Sequence, residues 1–271
     1  MLLQKIELPY TVIIKGAGDI ATGIAHRFWM AGFRLLMLDL PHPLVVRRSV
    51  AFATAIMEGS IEVEGLTASF ASRSSEIDKL WRKEKIPVFV DPEGELVSEI
   101  RPQILVDAIM AKKNTGTSLE DAPVVLGLGP GLEAGGDVHA VVETKRGHNL
   151  GKVIYSGFAA VDTGVPGEVG NYSIERLLRA PKEGVITPLK EIGELVKEGE
   201  TVALVNDRIP VVAGVSGLLR GMIYPKTEVQ KGMKVGDIDP RGVEVDYRSI
   251  SDKARAVAGG ALEAALHFLT K

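Results

Sequence analysis

Gly16, Gly18, Asp19, Ala21 and Thr22 stand together in "VIIKGAGDIATGIAHRF", directly after a run of β-branched residues. Glycines at this spacing let a chain turn sharply from strand to helix, and a small residue such as Ala21 lets the helix lie close to the strand. The amides at the start of that helix attract an anion. Asp39 ends the next apolar run, "FRLLMLDL", where a carboxylate would accept the ribose hydroxyls of a dinucleotide. These six residues, with Gly127, Gly129 and Gly131 of a later glycine-rich loop, are the candidate site for a nucleotide-containing small molecule, NAD(P) among them. A tight bend with an exposed aspartate is the competing reading, and Asp19 inside the turn would repel a pyrophosphate.

Further polar residues close later apolar runs. Asp107, Lys112 and Asn114 follow "PQILV", and Gly127, Gly129 and Gly131 lie in "APVVLGLGPGLEAG". The middle of the chain adds Asp137, His139, Glu143, Arg146, His148 and Asp162. Asp137, His139 and His148 are ordinary metal-ligand types, yet solvated hairpin residues explain them better, and no metal is assigned. His139, Lys112 and Asp107 are the candidates for proton transfer. Arg146 with the amides of "GLGPG" would suit a phosphate or a carboxylate. Neither "G-x-S-x-G" nor a Walker loop occurs, so serine-hydrolase and P-loop chemistry have no support.

The elements that must position these groups follow from periodicity. "TVIIKG", "FRLLMLDL", "IPVFVDP", "PQILVD" and "APVVLGLG" read as strands. Ile20, Ile24 and Phe28 line one helix face that ends near Gly32. Alternation in "SIEVEGLTASF" predicts two short strands joined at Gly65, an antiparallel insertion at a sheet edge. The first half is therefore expected to be a Rossmann-like, mostly parallel sheet with helices on both faces.

In the second half, "GVITPLKEIGELVKEGETVALV" repeats as "GLLRGMIYPKTEVQKGMKVGDI". Gly184 aligns with Gly217, Val196 with Val229 and Gly199 with Gly232. This resembles the barrel-sandwich fold of biotinyl and lipoyl carrier domains, but the connection "LVNDRIPVVAG" lacks the lysine those carriers modify. The expected layout is an α/β domain over 1–178, a barrel-sandwich domain over 179–243, and a C-terminal helix within 244–271 that packs back on the first domain.

Composition limits the partners. With 45% hydrophobic and 25% charged residues among 271, the chain is an ordinary globular protein rather than a disordered one. Its net charge of -3 argues against a nucleic-acid surface. The absence of cysteine excludes disulfides, thiolate metal sites and thiol nucleophiles. No apolar run is long enough to span a membrane, and the first residues do not form a signal peptide. A cytoplasmic protein is expected, as a monomer or a homo-oligomer.

Longer motifs add a family. "GAGDIATGIAHR", "DAIMAKKNTGT", "DAPVVLGLGPGLEAGGDVHAVVETKRGHNLG", "DTGVPG" and "VGDIDPRG" resemble the selenium-dependent molybdenum hydroxylase system proteins, over residues 11 to 267. The resemblance implies an accessory role in the maturation or operation of a molybdenum hydroxylase. Such a protein would handle the molybdopterin dinucleotide cofactor or selenium, though not through a thiol of its own. An NAD(P)-dependent oxidoreductase is the alternative, and a structural partner of the hydroxylase without a ligand is a third.

Overall fold

In a computed structural model, which describes residues 8–161, 164 and 167–270, the chain divides into two units. One comprises Met1–Pro43, Ala51–Asp162 and Ile250–Lys271, the other Leu44–Val50 and Thr163–Ser249. The first unit contains β1 (Thr11–Lys15), α1 (Asp19–Met30), β2 (Arg34–Asp39), α2 (Thr54–Glu58), β3 (Ser60–Val63), β4 (Leu66–Ala71), α3 (Ile77–Trp81), β5 (Ile86–Val90), α4 (Glu95–Ile100), β6 (Ile104–Asp107), β7 (Val124–Leu128), β8 (Glu133–Ala134), β9 (Ala140–Val142), β10 (Val153–Ile154), β11 (Gly157–Phe158) and α5 (Asp252–Leu269).

Nine of these strands make one sheet in the order β10-β9-β7-β6-β1-β2-β5-β4-β3. Those from β9 to β4 are parallel, and an antiparallel strand closes each edge. Uninterrupted apolar runs such as "VII" and "LLML" are buried on both faces, as the centre of a parallel array requires. The Rossmann-like expectation is corrected here to a mixed sheet. The connections from β6 to β7 and from β7 to β9 contain no α-helix, because "KKNTGT" and "GPGLEAGG" are too rich in glycine and turn formers to sustain one.

Small residues let α5 come close to its neighbours. Its buried positions are Ala254, Val257, Ala258, Gly260, Ala261, Ala264 and Ala265. A Cβ on Gly23 of α1 would stand 2.9 Å from the Ala254 Cβ, and one on Gly260 would overlap the Gly151 carbonyl oxygen. The Ser251 hydroxyl caps α5 by accepting the Ala254 amide at 3.2 Å. Among the described residues no helix is long and apolar enough to cross a membrane.

The second unit contains β12 (Leu177–Arg179), β13 (Gly184–Pro188), β14 (Leu195–Val196), β15 (Thr201–Val205), β16 (Ile209–Val212), β17 (Gly217–Met222), β18 (Glu228–Val229) and β19 (Lys234–Asp239). They form two four-stranded sheets, β12-β19-β17-β14 and β16-β15-β13-β18, in which every pairing is antiparallel. The barrel-sandwich expectation is corrected accordingly: each sheet ends in two edge strands, so neither closes on itself. The aligned halves exchange partners, since β14 pairs with β17 and β18 with β13. Gly199 and Gly232 take the same left-handed turn, both at φ +82°.

One face of β19 carries two buried aspartates, Asp237 and Asp239. Arg176 Nη2 reaches Asp237 at 3.3 Å, while Arg220 Nε donates to Asp237 at 2.7 Å and its Nη1 to Asp239 at 3.2 Å. Arg241 donates to Asp239 through Nε and Nη2, at 2.9 and 2.8 Å. Burial alone would raise the Asp239 carboxyl, but the Arg241 and Arg220 interactions outweigh it and hold the group below its ordinary 3.8.

Two measurements check this account. In urea unfolding, Gly260→Ala is expected to lose about 1–3 kcal/mol through overpacking. Its neighbour Gly259, whose Cβ would meet nothing within 4 Å, is expected to gain about 0.5–1 kcal/mol as Ala. Asp239 is ionised more readily in the folded state, so its contribution is full above 3.8 and is lost as pH falls through the lower folded value. Asp239→Asn should therefore melt well below the parent at neutral pH, with the gap narrowing in acid.

Candidate functional site

Parallel strands in open sheets present their carboxyl ends to ligands, most openly where the strand order reverses. Here that point lies between β1, which leads through α1 to β2, and β6, which pairs on the other side of β1. Lys15 and Asp107 end these two strands as register partners. Neither side chain touches solvent freely: Lys15 is 8% and Asp107 4% exposed.

A hydroxyl stands between them. Lys15 Nζ donates to Thr117 Oγ1 at 3.0 Å, and Thr117 Oγ1 donates to Asp107 Oδ2 at 2.6 Å. The other Asp107 oxygen accepts the Ile109 amide at 3.1 Å. Thr117 is held in turn by Asn114, whose Oδ1 accepts the Gly116 and Thr117 amides, both at 2.8 Å, and whose Nδ2 donates to the Thr117 carbonyl. On the other side, Lys15 Cε lies 3.8 Å from where a Cβ on Gly94 would stand. The lysine thus lies between the loops that follow β5 and β6.

The glycine turn is fixed by backbone bonds. Gly16, at φ +92°, donates to the Leu38 carbonyl at 2.7 Å, and a Cβ there would press on the Ala108 carbonyl. Asp39 accepts the Ala17 and Leu40 amides, one on each oxygen, at 2.7 Å. The Ala17 carbonyl accepts the Ala53 amide and the Thr22 hydroxyl accepts the Phe52 amide, both at 2.8 Å. Ala21 is buried. Gly18 caps α1 at φ -68°, ψ -175°, and no side chain caps the helix with it. Asp19 occupies the first turn.

Other candidates make contacts within the fold. A Cβ on Gly131, at φ +107°, would lie 2.6 Å from the Ala111 carbonyl oxygen; one on Gly129 would press on Thr144 Oγ1, and one on Gly127 on Leu132. These glycines let neighbouring segments pack against one another. His139 Nδ1 accepts the Val125 amide at 3.0 Å, and its ring meets Phe268. It precedes by two residues Val141, the strand neighbour of Gly127 and thus of the Asp107 level, so it sits back from the strand ends. Asp137 accepts the Glu133 amide, and Glu143 accepts those of Lys145 and Ala160.

Arg146 forms a two-pronged pair with Asp252, at 2.7 and 2.9 Å. Lys112 and His148 are exposed, and Asp162 lies outside the described residues. No cluster of three or more His, Asp or Glu among the described residues is placed to hold a metal. Sequence reasoning missed Lys15 and Thr117. Their signal was a lone cation ending the otherwise apolar strand "TVIIK", and the Asx turn in "NTGT".

These features define an α/β protein whose strand-end edge joins a buried Lys-Thr-Asp chain to an uncapped helix. No family model matches the chain. Uncharacterized protein YqeB of Escherichia coli (strain K12) is 48% identical over 258 residues, which cover 95% of this chain and 48% of that protein. The chain thus spans about half the length of that relative. Among solved structures, a succinylglutamate desuccinylase from Silicibacter sp. TM1040 aligns over 86% of this chain and 85% of its own, with 14% identity and a TM-score of 0.25. A succinylglutamate desuccinylase/aspartoacylase from Rhodobacter sphaeroides covers 86% of both chains with 16% identity and a TM-score of 0.27. Scores this low carry no inference about activity.

None of these proteins is named as part of a molybdenum hydroxylase system or as an oxidoreductase. The family read from the motifs is therefore set aside. Its cofactor-maturation, selenium-handling and hydroxylase-partner roles go with it, as does the NAD(P)-dependent alternative. Electrostatics agrees, because Asp19, Asp39 and Asp107 oppose one Lys15 around the ends of β1, β2 and β6, a poor setting for a pyrophosphate. Arg47 and Arg48, which follow Asp39 in the sequence, are engaged elsewhere. Arg48 Nε donates to the Met222 carbonyl at 2.7 Å and its guanidinium stacks on Tyr224, while Arg47 donates to the Ser249 carbonyl.

Burial raises the Asp39 carboxyl above its ordinary 3.8, against the smaller opposite pull of the Leu40 and Ala17 amides. The folded chain holds this proton more tightly than the unfolded one. Asp39 ionisation therefore costs stability, in full above its folded pKa and diminishing as pH falls from there towards the unfolded value of 3.8. A carbon-13 titration of labelled aspartate should place Asp39 above 3.8; a midpoint below it would refute this assignment.

Proposed function

We propose that the chain binds a small carboxylic acid that also carries an amino or hydroxyl donor, at the carboxyl ends of β1 and β6. One observation carries the reading. Gly18 occupies the N-cap of a 12-residue helix in an extended conformation that any residue can adopt, yet it contributes no cap. Serine or aspartate would stabilise that position, so the backbone there does not require glycine. A helix start without a side-chain cap suits an acceptor from outside the chain, and a carboxylate fits both the amides and the helix dipole. Asp19 and Asp39 supply acceptors for the ligand's donor and count against a polyanion. The compartment proposed for this activity is the cytoplasm.

Thermal-shift and calorimetric titration with acetate, lactate, malate, aspartate and pyrophosphate tests the proposal. Malate or aspartate is expected to raise the melting temperature by mass action, and pyrophosphate to have little effect. Gly18→Ser should keep or slightly raise the stability of the free protein, by a few tenths of a kcal/mol, while removing the ligand response. If no carboxylic acid shifts the parent protein, or Gly18→Ser binds as before, the reading fails.

A further inference from the structure

We infer that Lys15 is the residue that recognises the ligand's carboxylate, with Thr117 and Asp107 as its positioning residues; this rests on the carboxylic-acid reading above. An ammonium has three N–H donors. Among the described residues Thr117 is the single acceptor of the Lys15 ammonium, although the side chain is more than nine-tenths buried. Two of its three donors thus have no protein acceptor among the described residues.

A purely structural role explains this geometry poorly. Cross-strand register partners such as Lys15 and Asp107 are close enough to pair directly, and an apolar pair in the same place would often be more stable. Instead a single hydroxyl is shared between the two charges. Thr117 accepts from the cation and donates to the anion, which holds the ammonium at a set distance from the carboxylate rather than against it. An ammonium kept off its counter-ion retains attraction for a second anion. Asn114 holds the Thr117 backbone by two hydrogen bonds, to its amide and its carbonyl, and fixes the turn before it through the Gly116 amide. The position is the point of the sheet where strand order reverses, which is where ligands enter such sheets.

Malate and aspartate affinities of the parent, Lys15→Met, Thr117→Val and Thr117→Ser proteins, measured by calorimetry beside Gly18→Ser, test the inference. Lys15→Met is expected to weaken binding roughly ten- to a hundredfold, the loss of one charge-assisted hydrogen bond. Thr117→Val should weaken it, and Thr117→Ser, which keeps the hydroxyl, should restore it; a merely structural Thr117 would show no such rescue. Should Lys15→Met fail to fold, Lys15→Met with Asp107→Asn removes both charges together and carries the same expectation. Binding that is lost in Gly18→Ser but unchanged in Lys15→Met overturns this inference alone. Absence of binding in the parent overturns the carboxylic-acid reading and this inference with it.

Discussion

A charge at the end of a central strand must find a partner on the spot, because the low-dielectric sheet interior will not solvate it. Lys15 and Asp107 impose that condition on the first unit, and much of the surrounding loop structure answers it. The turn at Asn114 delivers Thr117 between them. The loop after β6 then continues against the glycines that follow β7, where Gly131 packs on the Ala111 carbonyl. Asp91 does comparable work one strand beyond β2, accepting the Gly94, Glu95 and Leu96 amides and so starting α4. Each strand-end acid is satisfied by backbone amides or by a hydroxyl, and this orders the loops at that end of the sheet.

Individual elements were legible where a single residue type decides the conformation. β1, β2, β5, β6 and β7 follow from apolar runs stopped by glycine or an acid, and the hairpin at Gly65 follows from alternation. Pairing order was not legible. Buried strands all read alike, so nothing local shows that β4 and β3 extend the sheet beyond β5, or that β10 turns back on β9. The glycine pattern is ambiguous for a related reason. Gly16, Gly129 and Gly131 all have positive φ and all approach another backbone or side chain closely, and packing demands that as strictly as a phosphate does. Gly18 differs from these in having an ordinary φ, and the sequence cannot show which glycine is which. Lys15 escaped notice because its partner lies on a loop 102 residues away.

The second unit solves its own burial problem differently. Its repeat places valines and glycines in matching positions, which periodicity reveals. The ion network on β19 breaks the repeat: Asp237 and Asp239 have no counterparts of like charge at Leu204 and Asn206, their aligned positions. Three arginines from separate segments converge on these two aspartates. Buried charges of this kind punish a misaligned strand more than an apolar face would, which suits a domain whose two halves could otherwise be confused with each other.

The division of the chain has a further consequence for synthesis. Leu44–Val50 belongs with a unit whose remaining residues are Thr163–Ser249. These seven residues leave the ribosome before the β-rich body they join. A nascent chain would hold them unassembled until Ser249 has emerged, and neither unit can be excised as one continuous fragment. Folding strictly in order along the chain, one unit after the other, does not match this interleaved arrangement.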